Sequence, residues 1–424
     1  MRFLYRMLEF VWDQVFTSLV PAGDFFWVFL LFSLYMAGIF TRGHRKLEAR
    51  RLGGNPFPFF RDMVVLFLWG LFGGILASWI FSVLGITISF GEVWIFPVIL
   101  GISLFLSTFH ARFLCASYAL GILAAIRLIF GVPALDFPAW SAFIGGLHLA
   151  ESIFMFATGA SRAVPVCFRI GDRATAGYVM QKVWPVVMMF FFWQFISRSQ
   201  GGLINLDTPS WWPLWGPAFA SAGKILVYFP VVFPVTMGYS DFTLSRTPRE
   251  KAVRGSLLLG CYSLTTIAVA GFVRYLNLPG VLAAFAVTAG HELVTWNSYD
   301  TELKNPWMFS PVPDGLRVLY VSRRGLGAKL GLTPGDVIKK INGRPVLSRA
   351  QLLAWFNGMP WFADFEIIRP GKGALTLSYP RGIKDLGILV VDRETVQADS
   401  LALPSYKPRL PGFFMRPTRK TMNN

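Results

Sequence analysis

Four short stretches of this 424-residue sequence carry side chains able to do chemistry in surroundings that offer almost none. His148 and Glu151 are three residues apart and so share one face of a helix, while His291 and Glu292 are adjacent. Arg112, Phe113, Leu114 and Cys115 open one apolar run, and Gln181, Lys182, Trp184 and Pro185 open another. Two imidazoles and two carboxylates could build a metal site or a proton relay. Buried as hydrogen-bonded pairs, the same groups would instead hold helices together, and nothing in the sequence brings the two pairs to one place. The structural role is therefore the expectation for His148, Glu151, His291 and Glu292, with no metal and no cofactor assigned.

A zinc hydrolase built on His291 and Glu292 would need a second His four residues after the first, so that both imidazoles share a helix face and the Glu activates a metal-bound water. Position 295 is a threonine, so that ligand is missing. An intramembrane metalloprotease would also place a metal-binding Asp on a helix after its soluble domain; no later apolar span follows here, and Asp314 falls in a soluble loop. The expectation is a protein that is not an enzyme.

The elements that must position these residues are apolar. Hydrophobic residues make up 54% of the chain and charged ones 15%, against about a quarter charged in soluble domains. Long apolar runs separated by short charged loops define a polytopic membrane protein. The formal charge of +17 is dispersed among loops rather than gathered in one basic domain, which argues against nucleic acid and for membrane topology. Cys115, Cys167 and Cys261 have neither disulfide nor metal spacing and read as small core residues.

Residues 1–24 are apolar, but Arg2, Arg6, Glu9 and Asp13 fall on one side of a helix, as in a helix lying in the membrane interface. Spans follow from Phe25 to Phe40 and near 63–84, 93–108, 113–130, 138–158, 183–198, 217–238, 255–275 and 279–296. The expected fold is an all-α polytopic membrane bundle of about nine transmembrane helices over residues 25–297. Alternation puts Arg42 to Arg51, Arg112, the segment with Arg162 to Lys182 and the segment with Arg246 to Arg254 on one side. The other side keeps almost no Lys or Arg, and its long loop, Ser199 to Gly216, carries Trp211, Trp212 and Trp215. The positive-inside rule then sets the N-terminus outside and the C-terminus in the cytoplasm.

Beyond the spans, residues 312–380 have the rhythm of a soluble α+β domain. Leu330 to Ile338 leads through Lys339 and Lys340 to Ile341, Asn342 and Gly343, a turn, a short strand and a tight turn. Leu316 to Val321 alternates as a strand, Ser348 caps a helix through Leu352, Leu353 and Phe356, and a hairpin joins 365–368 to 375–379. This pattern resembles a PDZ domain, which implies a peptide added as an extra strand beside the first strand, its carboxylate held by the preceding loop. Pro313, Asp314, Gly315 and Leu316 would form that loop, and Leu316, Val318 and Leu352 the pocket. Packing of this domain against the membrane region is the plainer alternative. In the extension 381–424, Asp385 to Val391 could add one more strand, and the basic tail from Leu403 reads as disordered.

Taken in order, the Arg112 to Cys115 stretch, Leu147 with His148 and Glu151, the Gln181 to Pro185 stretch, and Gly290 to Glu292 ahead of one C-terminal PDZ domain resemble the MinJ-like multi-pass PDZ proteins of Gram-positive bacteria. The resemblance implies a non-enzymatic scaffold in the bacterial cell membrane, septal or polar, that connects DivIVA-like and MinD-like division proteins. A transporter or channel using the intramembrane His and Glu residues is the rival reading, but no repeat symmetry supports it.

Overall fold

A computed structural model describes residues 2–18, 24–53, 58–197, 208–217, 223–323, 325–357, 362–379, 386–398 and 400–402. The tail from Leu403 and residues 199–207 of the Ser199 to Gly216 loop lie outside them. The chain order is α1 (Arg2–Ser18), α2 (Asp24–Leu52), α3 (Phe59–Leu84), β1 (Thr87–Ser89), α4 (Ile95–Ser107), α5 (Ala116–Phe130), α6 (Phe137–Thr158), β2 (Val164–Ile170), β3 (Arg173–Ser197), β4 (Lys224–Thr243), α7 (Pro248–Tyr275) and α8 (Val281–Lys304). A strand-rich part then runs β5 (Leu316–Val321), α9 (Leu326–Lys329), β6 (Val337–Ile341), β7 (Arg344–Pro345), α10 (Arg349–Asn357), β8 (Ala363–Arg369), β9 (Gly373–Tyr379), β10 (Ile388–Val391), α11 (Arg393–Ala398) and β11 (Ser400–Ala402).

Among the described residues, five helices are long and apolar enough to cross a membrane: Phe26–Leu52, Phe59–Leu84, Phe90–Ser107, Phe137–Thr158 and Pro248–Tyr275. α1 packs through Met7, Val11 and Val15, spaced four apart, while Arg2, Arg6, Glu9 and Asp13 stay exposed. Its Phe3 ring meets Trp211 edge-on at 5.9 Å, at the end of the bundle where β3 and β4 reach Ser197 and Lys224.

The all-α expectation fails at two of the nine segments. The described residues 183–197 and 224–238 are not helical; they belong to β3 and β4, paired antiparallel from Tyr178 opposite Thr243 to Ser197 opposite Lys224. The run from Val186 to Phe192 is Val, Met and Phe throughout, with both faces buried. Such a run has no period to separate helix from strand, and its β-branched and aromatic content favours the strand.

A sheet in an apolar setting must hide its edges. The Met189 N–H donates to Ser78 Oγ on α3 at 2.6 Å, so the odd-numbered backbone groups of this part of β3 face α3 rather than β4. Gly70 and Gly74 let α3 approach closely: a Cβ at either would overlap the carbonyl oxygen of Pro185 or Val187. β1 pairs parallel with the same edge, Thr87 opposite Phe191. On β4, Pro234 lies opposite Val187 and Pro230 opposite Phe191, so both face away from β3. Proline there removes N–H groups that would have no ladder partner. α2 lies over that side, Phe29 against Phe233 with ring centroids 4.5 Å apart.

The basic segments gather at one end of the bundle. Arg45 reaches Asp62 at 2.5 Å, and Arg162 reaches Asp62 at 2.7 Å and also pairs with Glu48. Glu302, fully buried near the end of α8, accepts from the Leu244 and Ser245 N–H groups at 2.8 and 2.9 Å and pairs with Arg246 and Lys251 at 3.1 and 3.3 Å. It therefore fastens α8 to the exit of β4 and the start of α7. Thr247 and Glu250 close a capping box at that start.

The C-terminal part docks on the same end. Its sheet has the order β10-β5-β6-β8-β9, with β7 on β6, around a core of Leu316, Val318, Ile338, Ile341, Leu352, Phe365 and Ile367. Leu319, Phe309, Val391 and Val396 form a second apolar cluster with Cys167, Ala176 and Tyr178 of the β2–β3 hairpin. The Tyr178 hydroxyl donates to the Leu319 carbonyl, and the Met308 N–H donates to the Leu244 carbonyl at 2.8 Å. The contact with the membrane part is thus built from buried apolar surface.

Candidate functional site

The two His and Glu pairs, far apart in sequence, do meet. His148 lies in the middle of α6, with Nδ1 2.9 Å from the Ile144 carbonyl one turn back. Since a carbonyl only accepts, Nδ1 carries a proton, and in the neutral ring Nε2 keeps its lone pair. That Nε2 is 3.1 Å from Cys115 Sγ, the residue that caps α5. His291 arrives from α8 with its ring centroid 5.2 Å from that of His148. Its Nδ1 is 3.3 Å from the Tyr118 hydroxyl, which in turn donates to Glu292 Oε2 at 2.6 Å. With its proton committed to Glu292, the Tyr118 oxygen accepts from His291 Nδ1, so the other nitrogen of this ring also keeps its lone pair.

Glu292 faces Arg112, Nη1 to Oε1 3.4 Å, and these two with Tyr118 buttress the second imidazole. Tyr262 closes another side, its ring 5.4 Å from His148 and its hydroxyl donating to the Val287 carbonyl at 2.8 Å. α8 comes close enough because residue 290 is glycine; a Cβ there would stand 2.8 Å from the Tyr262 ring. Glu151, half-buried and one turn beyond His148, has no hydrogen bond or ion pair among the described residues.

Of the four stretches singled out by sequence, Arg112–Cys115, His148–Glu151 and His291–Glu292 converge, and Gln181–Pro185 does not. The last lies on β3, where Trp184 is fully buried and stacks on Phe154 with centroids 5.3 Å apart. The cysteines are not uniform core residues: Cys167 is buried, Cys261 is exposed on α7, and Cys115 belongs to the polar cluster. Tyr118 and Tyr262 were not legible as members, since an aromatic hydroxyl in an apolar run carries no spacing signal.

The residues expected to form a peptide groove do not lie beside an open strand edge. β5, the first strand, is hydrogen-bonded on both sides, to β6 and to β10, so no edge is open beside it. Gly315 and Leu316 are buried, and a Cβ on Gly315 would stand 2.7 Å from the Ile338 carbonyl oxygen. Pro313 and Asp314 are exposed, with Asp314 paired to Lys339. Leu316, Val318 and Leu352 belong to the buried apolar cluster of this part.

The sheet ends at β10 on this side and at β9 on the other; β10 has one neighbour, β5, among the described residues. Gly387, at φ +61°, turns the chain into it, with the Gly387 and Leu386 carbonyls accepting from the Ser322 and Gly327 N–H groups. Ile388 and Val390 of β10 share an apolar cluster with Leu352 and Trp355 of α10. Asp392, just past β10, accepts from the Arg349 N–H at 2.9 Å and ties the strand to the start of α10.

Fold and sites together define a multi-helix membrane protein with a polar cluster inside its bundle and a strand-rich C-terminal part docked at one end. The chain is similar to the cell division topological determinant MinJ of Bacillus subtilis (strain 168), with 24% identity over 392 residues, covering 87% of this chain and 93% of that protein. The similarity spans most of both chains and supports a MinJ-like relationship. No family model matches the chain, and no solved structure matches it.

Proposed function

We propose that this protein is a membrane-embedded adaptor in the placement of cell division, non-enzymatic, whose C-terminal part is a cytoplasmic PDZ-type module that recruits other proteins. The division role rests on the similarity to MinJ over most of both chains. The observation that carries the recruiting mechanism is β10, an edge strand with a helix beside it. An edge strand offers unpaired N–H and C=O groups to an incoming extended peptide, and the apolar surface of Ile388 and Trp355 would select its side chains. Partners of the DivIVA and MinD type are those the family resemblance suggests.

The test is a fluorescent fusion of the full chain in its own host. The fusion should gather at septa and poles, and Trp355→Glu should spread it evenly over the membrane without loss of protein. Leu353→Glu, on the exposed side of α10, should leave the pattern unchanged. An even distribution of the unaltered protein, or septal retention of Trp355→Glu with all its co-purifying proteins, would contradict the reading.

A further inference from the structure

Cys115, His148 and His291 each offer one donor atom, and the three atoms lie within 4.8 Å of one another. A tetrahedral zinc ion, with bonds of about 2.0 to 2.3 Å, holds its ligand atoms at roughly 3.3 to 3.8 Å from each other, so a small adjustment satisfies it, Cys115 Sγ and His148 Nε2 parting slightly from their 3.1 Å contact. Both imidazoles are held in the state a metal needs. His148 Nδ1 is committed to the Ile144 carbonyl and His291 Nδ1 to Tyr118, which leaves a lone pair on the remaining nitrogen of each ring. Outer partners of this kind fix a ligating imidazole's tautomer and orientation. A simple Cys–His pair would leave the second imidazole without a role; here two rings converge on one sulfur.

We propose that Cys115, His148 and His291 bind a zinc ion, with the Glu151 carboxylate as the fourth ligand, clamping α5, α6 and α8 together. One thiolate and two imidazoles are a donor set for zinc and its soft or borderline neighbours, and the wrong set for magnesium or calcium, which require oxygen. Glu151 lies one turn from His148 on the same helix face and lacks a hydrogen-bond or ion-pair partner among the described residues; its carboxylate stands outside the 4.8 Å cluster of the other three donors and has to turn inward to complete the site. With it the site is electrically neutral: two positive charges on the metal, one negative on sulfur and one on the carboxylate. Neutrality matters inside an apolar bundle, where an unmatched charge is expensive. Four protein ligands make the site closed, so the metal holds helices rather than activating water.

The experiment uses the full chain purified in detergent without chelator. Metal analysis should find zinc near one equivalent per chain, lost in Cys115→Ala and in His291→Ala. Cobalt exchanged for zinc should give thiolate-to-cobalt charge-transfer absorption that Cys115→Ala abolishes. Should those variants fail to accumulate, the unaltered protein still decides: added zinc should protect Cys115 from alkylation, read peptide by peptide, while exposed Cys261 reacts at the same rate with or without the metal. Tyr118→Phe, which removes the support of His291, should weaken zinc affinity about 10- to 100-fold. A protein that holds no zinc as purified, and whose Cys115 alkylates equally fast with zinc present, would overturn the proposal.

Discussion

The Ser78 hydroxyl accepts a 2.6 Å hydrogen bond from the Met189 N–H, joining a helix to the far edge of a strand in the middle of an apolar bundle. Ser78→Val is expected to leave that N–H unpaired, at a cost of about 1 to 3 kcal/mol. Gly74→Val should be worse, since its side chain would meet the Val187 carbonyl. Thermal unfolding of the detergent-purified protein, followed by size exclusion, should rank the two below the unaltered chain. Equal transition temperatures for all three would mean that α3 does not seal the strand edge.

Topology can be read with reporters. A fusion after Asn424 should behave as cytoplasmic, and an insertion between Gly201 and Pro209 as external, because Arg and Lys collect with the Arg42–Arg51 end of α2. Alkaline phosphatase that is active at the C-terminus would reverse the orientation.

Glu302 should make the fold acid-sensitive. Burial alone would raise its carboxyl, but the Lys251 ammonium and the Leu244 and Ser245 N–H groups hold it below the usual carboxylate range. A group whose folded value is depressed contributes stability that is present above its unfolded value and lost as pH falls through the folded one. Transition temperature should therefore drop on acidification below the ordinary carboxylate range, and Glu302→Gln should flatten part of that drop. At neutral pH, Glu302→Ala leaves the Lys251 ammonium, 3% exposed, without this partner, an expected loss of about 3 to 5 kcal/mol. An unchanged pH profile in Glu302→Gln would assign the acid sensitivity elsewhere.

In the C-terminal part, Ile338→Ala and Ile341→Ala should each cost about 2 to 5 kcal/mol, both residues being fully buried. Gly315→Val belongs with them, because its side chain would press on Ile338 and Val337. Limited proteolysis of membranes should release fragments of this part from all three variants and spare Leu353→Glu. A protease-resistant Gly315→Val that loses only its partners would restore residue 315 to a binding loop.

Local rules reached far along this chain. The turn at Pro334 to Asp336, the hairpin residues Asn342 and Gly343, the Ser348 helix start and the extra strand within Asp385 to Val391 were legible because turn residues and alternation act over a few neighbours. The charged side of α1 and the positions of the helical spans followed from composition for the same reason. Val183 to Ile196 and Ile225 to Gly238 were not legible as strands, since a run apolar at nearly every position fits helix and sheet alike. What decided them is the partner: each strand's backbone is satisfied by the other, and α3 takes the Met189 N–H on the far side of β3, with Pro185, Pro230 and Pro234 as the unread hints. Sequence likewise named His148, Glu151, His291, Glu292 and Cys115 without joining them. Only the packing of α5, α6 and α8, permitted by glycine at 290, brings one thiol and two imidazoles to a point, and only the strand order transfers the open edge from Leu316–Val321 to Ile388–Val391.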